Sequence, residues 1–309
     1  MKITNVKGLP EALVKAIELK PHNAPGSLSA TTLLKNVKQI LLTERHWDEI
    51  EEDVMDRFYM LIGTSMHKLL EHEGKNDFTE ETMSQQIGGM TITGKIDLYN
   101  MEEGIIVDWK SCSVYKIIKG DFDDWRKQGL IYAWLLHKNG FLVKTCRFIA
   151  IMKDYSMRKA RQSQSYPESP VYVYEFAVTE ELLAEIEGFI ERKISEYQRF
   201  AELPDDEIPV CTKEERWEDA TVYSVKKTGN QKATKNFYSQ SEAESFAAAK
   251  GKEFSVEKRP GEAKRCIDYC SCCTFCNHYR DNVEVSLTKE FEKVEAKAQG
   301  KEQTEEVSW

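Results

Sequence analysis

The chain has no basic excess. Its 43 lysines and arginines stand against 52 aspartates and glutamates, a formal net charge of −9. That balance excludes a uniformly basic coat for nucleic acid and confines any such contact to a local patch. It also lacks a long apolar run. Met1 to Pro21 is interrupted by Lys2, Lys7, Glu11, Lys15 and Glu18, and no later stretch approaches the roughly 20 apolar residues that span a bilayer. The expectation is therefore a soluble, cytoplasmic protein with no membrane partner. Cysteine is absent before Cys112, and no internal repeat is visible. Of the eight cysteines, Cys112, Cys146 and Cys211 stand apart, while Cys266, Cys270, Cys272, Cys273 and Cys276 crowd into one segment. In a reducing compartment such crowding favours metal ligation over disulfides. At 309 residues the chain can bury a core, as one large domain with additions or as two smaller ones.

Hydrophobic periodicity orders the first two thirds. Ser27 to Glu73 reads mainly as helix: Ser29-Ala30-Thr31-Thr32 opens one, and Trp47, Ile50, Val54, Phe58 and Leu61 recur at three- and four-residue steps in a second. Gly63 interrupts that pattern, and Met66, His67, Leu69 and Leu70 fall on a short helix beyond it. Thr91 to Tyr99 and Gly104 to Ser113 are rich in β-branched and aromatic residues and predict a hairpin turned at Asn100 to Glu103. A helix follows from Trp125 to Lys138, closed by Asn139-Gly140. Phe141 to Lys153 and Pro170 to Ala177 predict strands, and Glu180 to Ala201 a long amphipathic helix. This order predicts an α/β fold, a mixed central sheet flanked by helices, over residues 1–205.

After Leu203-Pro204-Asp205-Asp206 the composition shifts. Short strands at Thr221 to Lys227 and Glu253 to Arg259 flank a helix at Ser241 to Lys250, a small cysteine-containing α/β module over 206–280. Residues 281–309 read as a charged tail, either a frayed helix or disordered. Between Thr221 and Arg265 ten Lys or Arg face five Glu and no Asp. Lys226, Lys227, Lys232 and Lys235 are the candidates there for contact with a nucleic-acid backbone; an ordinary solvated face accounts for them equally well.

The residues that carry chemistry lie in the hairpin. Gly94-Lys95-Ile96-Asp97 is followed eleven residues after its aspartate by Asp108-Trp109-Lys110. Alternation along the second strand puts Asp108 and Lys110 on one face. Two carboxylates at neighbouring strand ends suit a hard divalent cation such as Mg²⁺, and the amine beside them can stabilise developing charge on a phosphate. On the next helix Gln128 and Tyr132, four residues apart, share a face and can orient the lysine, a water or a phosphate. Upstream, His67 can add a nitrogen ligand, which shifts preference toward Mn²⁺. Taken singly these signals are weak: D-x-K recurs by chance, a Gln and a Tyr at this spacing usually mark a helix surface, and a lone His is more often structural.

Their order is specific. G-T-S-M-H (63–67), G-K-I-D (94–97), I-I-V-D-W-K (105–110) and Q-G-L-I-Y (128–132) together resemble the RecB-type nuclease domain of the PD-(D/E)XK superfamily. The chain likewise resembles the stand-alone bacteriophage exonucleases and CRISPR adaptation nucleases that share it. The resemblance covers roughly Ser27 to Phe200. It implies a restriction-endonuclease-like core and a metal-dependent deoxyribonuclease, an exonuclease acting on DNA in recombination, replication or DNA degradation. It implies that His67, Asp97, Asp108 and the carbonyl of Trp109 bind Mg²⁺ or Mn²⁺, with Lys110 catalytic and Gln128 and Tyr132 beside it. A recombination or replication partner protein, a homo-oligomer and, for a phage-encoded chain, the host cytoplasm fit the same resemblance. Two other readings stay open: a non-catalytic DNA-binding scaffold on a nuclease fold, and a cysteine-cluster protein that senses redox state.

Several such relatives carry an iron–sulfur cluster tied by one cysteine near the N-terminus and three near the C-terminus. This chain departs from that pattern, having no cysteine around Leu33 to Leu42. Cys266, Cys270 and Cys276, with Cys211 closing the set, are the candidate ligands, and Cys272, Cys273 and His278 are spare. They fit a zinc ion, an iron–sulfur cluster, or buried thiols that fill a small core. A metal there would pin residues 211–280 onto the core.

Overall fold

The computed structural model describes residues 1–17, 24–70 and 78–285. The chain divides into two compact units, one ending at Leu203 and one beginning at Pro204.

The first unit holds the mixed α/β sheet expected from the sequence. Its elements run β1 (Lys2–Thr4), α1 (Glu11–Ala16), β2 (Ser27–Ser29), α2 (Ala30–Leu33), α3 (Val37–Arg45), β3 (Glu51–Asp53), α4 (Val54–Leu70), β4 (Phe78–Ile87), β5 (Met90–Asn100) and β6 (Ile105–Cys112). There follow α5 (Val114–Lys119), α6 (Asp123–Lys138), β7 (Thr145–Met152), α7 (Met157–Gln162), β8 (Val171–Ala177) and α8 (Glu180–Ala201). The large sheet has the order β2-β5-β6-β7-β8, with β4 also on β5. β5–β6 and β7–β8 are antiparallel, and β2–β5 and β6–β7 parallel.

Two helices close the core. α6 buries a nearly unbroken run from Gln128 to Leu136, which no amphipathic stripe would do, because it lies across the sheet and is covered in turn. α8, capped by Thr179 accepting from the Leu182 amide at 3.3 Å, sends Leu183, Ile186, Ile190 and Ile194 into the same core. Its bounds are those its periodicity predicts.

The upstream helices differ from expectation. Trp47 and Ile50 keep helical spacing with Val54, yet the chain leaves the helix after Arg45, pairs β3 in parallel with β1, and starts again at Val54. Asp53 explains the restart: its carboxylate accepts the amides of Met55 (3.0 Å) and Val6 (2.8 Å), and its own amide donates to Asp56 (3.1 Å), a reciprocal cap. Gly63 does not interrupt α4, which runs unbroken to Leu70. A Cβ at Gly63 would stand 3.3 Å from Ser111 Oγ, so the glycine serves close approach of α4 to β6 instead of a break. β4, whose polar sequence shows no apolar alternation, was not expected; it pairs along nearly all of β5.

The second unit has a three-stranded antiparallel sheet, β10 (Lys235–Phe237), β9 (Val222–Lys227) and β11 (Phe254–Arg259), in that order. Helix α9 (Gln240–Lys250) packs Ala243 and Ala247 on Val225. Helix α10 (Lys264–Asp268), a 3-10 turn at Cys273–Phe275 and a π-helical segment at Tyr279–Glu284 follow. Most of the expected tail, residues 286–309, lies outside the described residues.

Candidate functional site

A break in the sheet places the hairpin's acids. One edge of β5 pairs with β2 at Thr91 to Thr93 and with β6 at Leu98 to Asn100. Between these two ladders Gly94 to Asp97, the G-K-I-D motif, pair on that edge with neither strand. Inward-facing residues alternate at Met90, Ile92, Gly94 and Ile96 and then skip to Tyr99, so the alternation shifts at Asp97 and Leu98. Such a shift re-aims a side chain, as bulges do. Asp97 uses the freedom to accept the amide of Trp109 at 2.9 Å, replacing a missing ladder bond.

His67 reaches the same carboxylate from α4, its Nδ1 lying 3.2 Å from Asp97 Oδ2. The contact with Asp97 holds the imidazole above its usual pKa, against a smaller opposing effect of burial. Within the described residues, His67, Asp97 and Glu80 of β4 each offer a ligand atom within 4.8 Å of the others. Imidazole nitrogen and carboxylate oxygen are the donors Mg²⁺ or Mn²⁺ accepts, so these residues fit the cation the motifs imply.

Asp108 is 2% exposed. Burial pushes its carboxyl up to about 6, and Lys110 only partly offsets this. As alternation requires, Lys110 lies on the same face, with Nζ 2.7 Å from Asp108 Oδ2. The same ammonium donates to Gln128 Oε1 at 2.8 Å, and Gln128 Nε2 donates to the Tyr132 hydroxyl at 2.8 Å. Burial, then the Asp108 charge, raises the Tyr132 pKa, so the phenol stays neutral. Gly94 makes room for this: a Cβ there would fall 2.6 Å from Leu135 and 2.9 Å from the Tyr132 ring.

The expected residues therefore assemble into two linked parts. His67 and Asp97 form one, joined to the backbone of Trp109; Asp108, Lys110, Gln128 and Tyr132 form the other. Asp108 faces Lys110 in this arrangement, and the third member beside His67 and Asp97 is Glu80. The motif reading missed Glu80, because a glutamate in Phe78-Thr79-Glu80-Glu81 carries no spacing signal.

The other candidates lie in the second unit. Lys226 pairs with Glu257, and Lys227 with Glu253 at 3.3 Å, across β9 and β11. Lys235 stands over the Phe237 and Phe246 rings at 4.9 and 5.4 Å, and Lys232 is exposed in the turn before β10. Burial and then Glu215 raise the Cys211 thiol to about 12, with further contributions from Cys270, Cys266 and Cys276. Cys266 is raised to about 11 by burial, then by Cys270 and Cys276. Among the described residues no three of these thiols bring their sulfurs within 4.8 Å of one another, as a shared ion would require. Cys270 Sγ also lies 3.7 Å from Cys272 Sγ.

No family model and no curated protein matches this chain. Among solved structures it is similar to a protein named SSO0001, at 16% identity over 56% of this chain and 77% of that one, TM-score 0.41. It is similar to an alkaline exonuclease from Laribacter hongkongensis at 13% identity, over 57% of this chain and 90% of that one, TM-score 0.38. A phage-related exonuclease from Haemophilus somnus 129PT is 13% identical over 58% of this chain and 96% of that one, TM-score 0.38.

Proposed function

We propose that the protein is a metal-dependent deoxyribonuclease, an exonuclease that hydrolyses phosphodiester bonds in DNA. The observation that carries this reading is the Asp108–Lys110–Gln128–Tyr132 chain beside the His67–Asp97 pair, at the gap between two ladders. His67 and Asp97, with Asp108 and the Trp109 carbonyl beside them, would hold Mg²⁺ or Mn²⁺. When bound, the cation supplies Lewis-acid polarisation of the phosphate and a water of lowered pKa.

The protein's own groups do the rest. An ammonium has three N–H donors. Lys110 directs one to Gln128 and ion-pairs with Asp108, leaving donor capacity for a phosphate oxygen as charge develops there. Gln128 holds the lysine through its carbonyl and is itself fixed by Tyr132, so the donor is oriented before substrate arrives. Such preorganised donors contribute about 10²- to 10³-fold in kcat. Asp97, by taking the Trp109 amide, fixes the backbone between Asp108 and Lys110. Lys232 and Lys235 are our candidates for DNA-backbone contact, since Lys226 and Lys227 direct their charge to glutamates. A zinc ion or iron–sulfur cluster with a structural role on Cys211, Cys266, Cys270 and Cys276 would require these thiols to draw closer than they stand here; zinc analysis and a visible absorbance spectrum test it.

The functional test is incubation with linear and circular, single- and double-stranded DNA in Mg²⁺, Mn²⁺ or EDTA. Loss of linear substrate with metal and none in EDTA is expected. Binding without loss of any substrate would instead favour a scaffold.

A further inference from the structure

Glu80 occupies the rung between Thr79↔Leu98 and Glu81↔Ile96, and so lies against Asp97 from the side of β5 opposite β6. Its backbone has φ +57°, a left-handed conformation that a glutamate adopts only at a cost in strain. The rung is lost, and the carboxylate, 15% exposed, comes within ligand distance of both His67 and Asp97. There it ion-pairs with Lys95 of the G-K-I-D motif, whose own side chain is 61% exposed. Two carboxylates held this close repel unless a positive charge lies between them. Lys95 supplies such a charge from one side.

We propose that Glu80 is a ligand of the divalent cation at His67 and Asp97, and that Lys95 is its counter-ion until the cation arrives. The inference rests on the metal-dependent reading above and adds a ligand from a fourth element. β5 supplies Asp97, α4 supplies His67, β6 supplies Asp108 with the Trp109 carbonyl, and β4 supplies Glu80. A hard cation outcompetes an exposed ammonium for carboxylate oxygen, and an ammonium that mobile can withdraw at little cost.

The test is Mn²⁺ binding to the full chain without DNA, followed by the loss of the free-ion electron paramagnetic resonance signal, with thermal midpoints in EDTA. Glu80→Gln should weaken Mn²⁺ binding by about tenfold or more while the midpoint in EDTA is unchanged. Glu80→Gly, free of strain at this φ, should fold at least as well as the parent yet show the same weakening, which separates ligand loss from misfolding. Lys95→Gln should tighten binding by removing the competing cation. Parental affinity in both Glu80 variants would overturn the inference and leave the nuclease reading standing. If the parent chain itself binds no Mn²⁺, the metal-dependent reading fails and this inference with it.

Discussion

Asp108 departs furthest from the behaviour of a carboxylate in water. Its pKa rises from 3.8 in the unfolded chain to about 6 in the folded one. Between these values the native state binds more protons than the unfolded state, so this residue's contribution to stability falls as pH climbs through that window and is level above it. Asp108→Asn removes the titration. In EDTA the variant should therefore gain on the parent between pH 4 and 6, read as the difference in urea midpoints; a constant difference would contradict the assigned burial effect. Cation binding runs the other way. It competes with a proton on Asp108 and on His67, whose pKa is held up by Asp97, so Mn²⁺ affinity should rise steadily from pH 5 to 7. At Lys110, replacement by alanine should abolish cleavage while leaving Mn²⁺ binding in place; retained cleavage would remove the lysine from the mechanism. These residues were legible because short spacings, D-x-K and Q-x-x-x-Y, map directly onto one strand face and one helix face. Glu80 was not, because its role depends on a backbone conformation and a strand partner that no local pattern encodes.

At the scale of elements, Gly94 joins the motif to the helix behind it. An added Cβ would meet Leu135 and Tyr132 at 2.6 and 2.9 Å, so α6 must shift or the rings must turn. Gly94→Ala should cost about 1–3 kcal/mol in urea unfolding and lower kcat through displacement of Tyr132 and Gln128. Unchanged stability would mean that α6 is less tightly seated on β5. Elements with strong, uninterrupted periodicity could be read from the chain itself: α8 spans the predicted Glu180 to Ala201, and α6 ends where Asn139-Gly140 requires. β3 and β4 escaped. Trp47 and Ile50 retain helical spacing while the chain pairs with β1, a long-range contact that local pattern does not register. β4 is polar because it pairs only with β5 and none of its residues is fully buried, and alternation is a signal of burial, not of pairing.

For the whole molecule, an acidic chain that acts on DNA must concentrate its attraction in few places. Each lysine that neutralises a phosphate contributes about 0.9 to the slope of log affinity against log salt. Lys232→Ala should therefore lower DNA affinity and reduce that slope by about 1, measured with the catalytic site disabled by Lys110→Ala. An unchanged slope would assign the second unit's basic residues to an ordinary solvated surface. No helix among the described residues is long and apolar enough to cross a membrane. The α/β class was readable from the order of elements, since helix, hairpin, helix, strand, strand and helix admit few arrangements around one sheet. The gap between the β2 and β6 ladders was not, because it arises from where two separate strands stop along β5. The central claim is that this gap houses a metal-dependent nuclease site. Its most direct test is to follow end-labelled linear DNA with the parent chain and Asp97→Asn, each in Mn²⁺ and in EDTA. The account predicts loss of DNA with the parent in Mn²⁺ alone; cleavage that persists in EDTA or survives Asp97→Asn would contradict it.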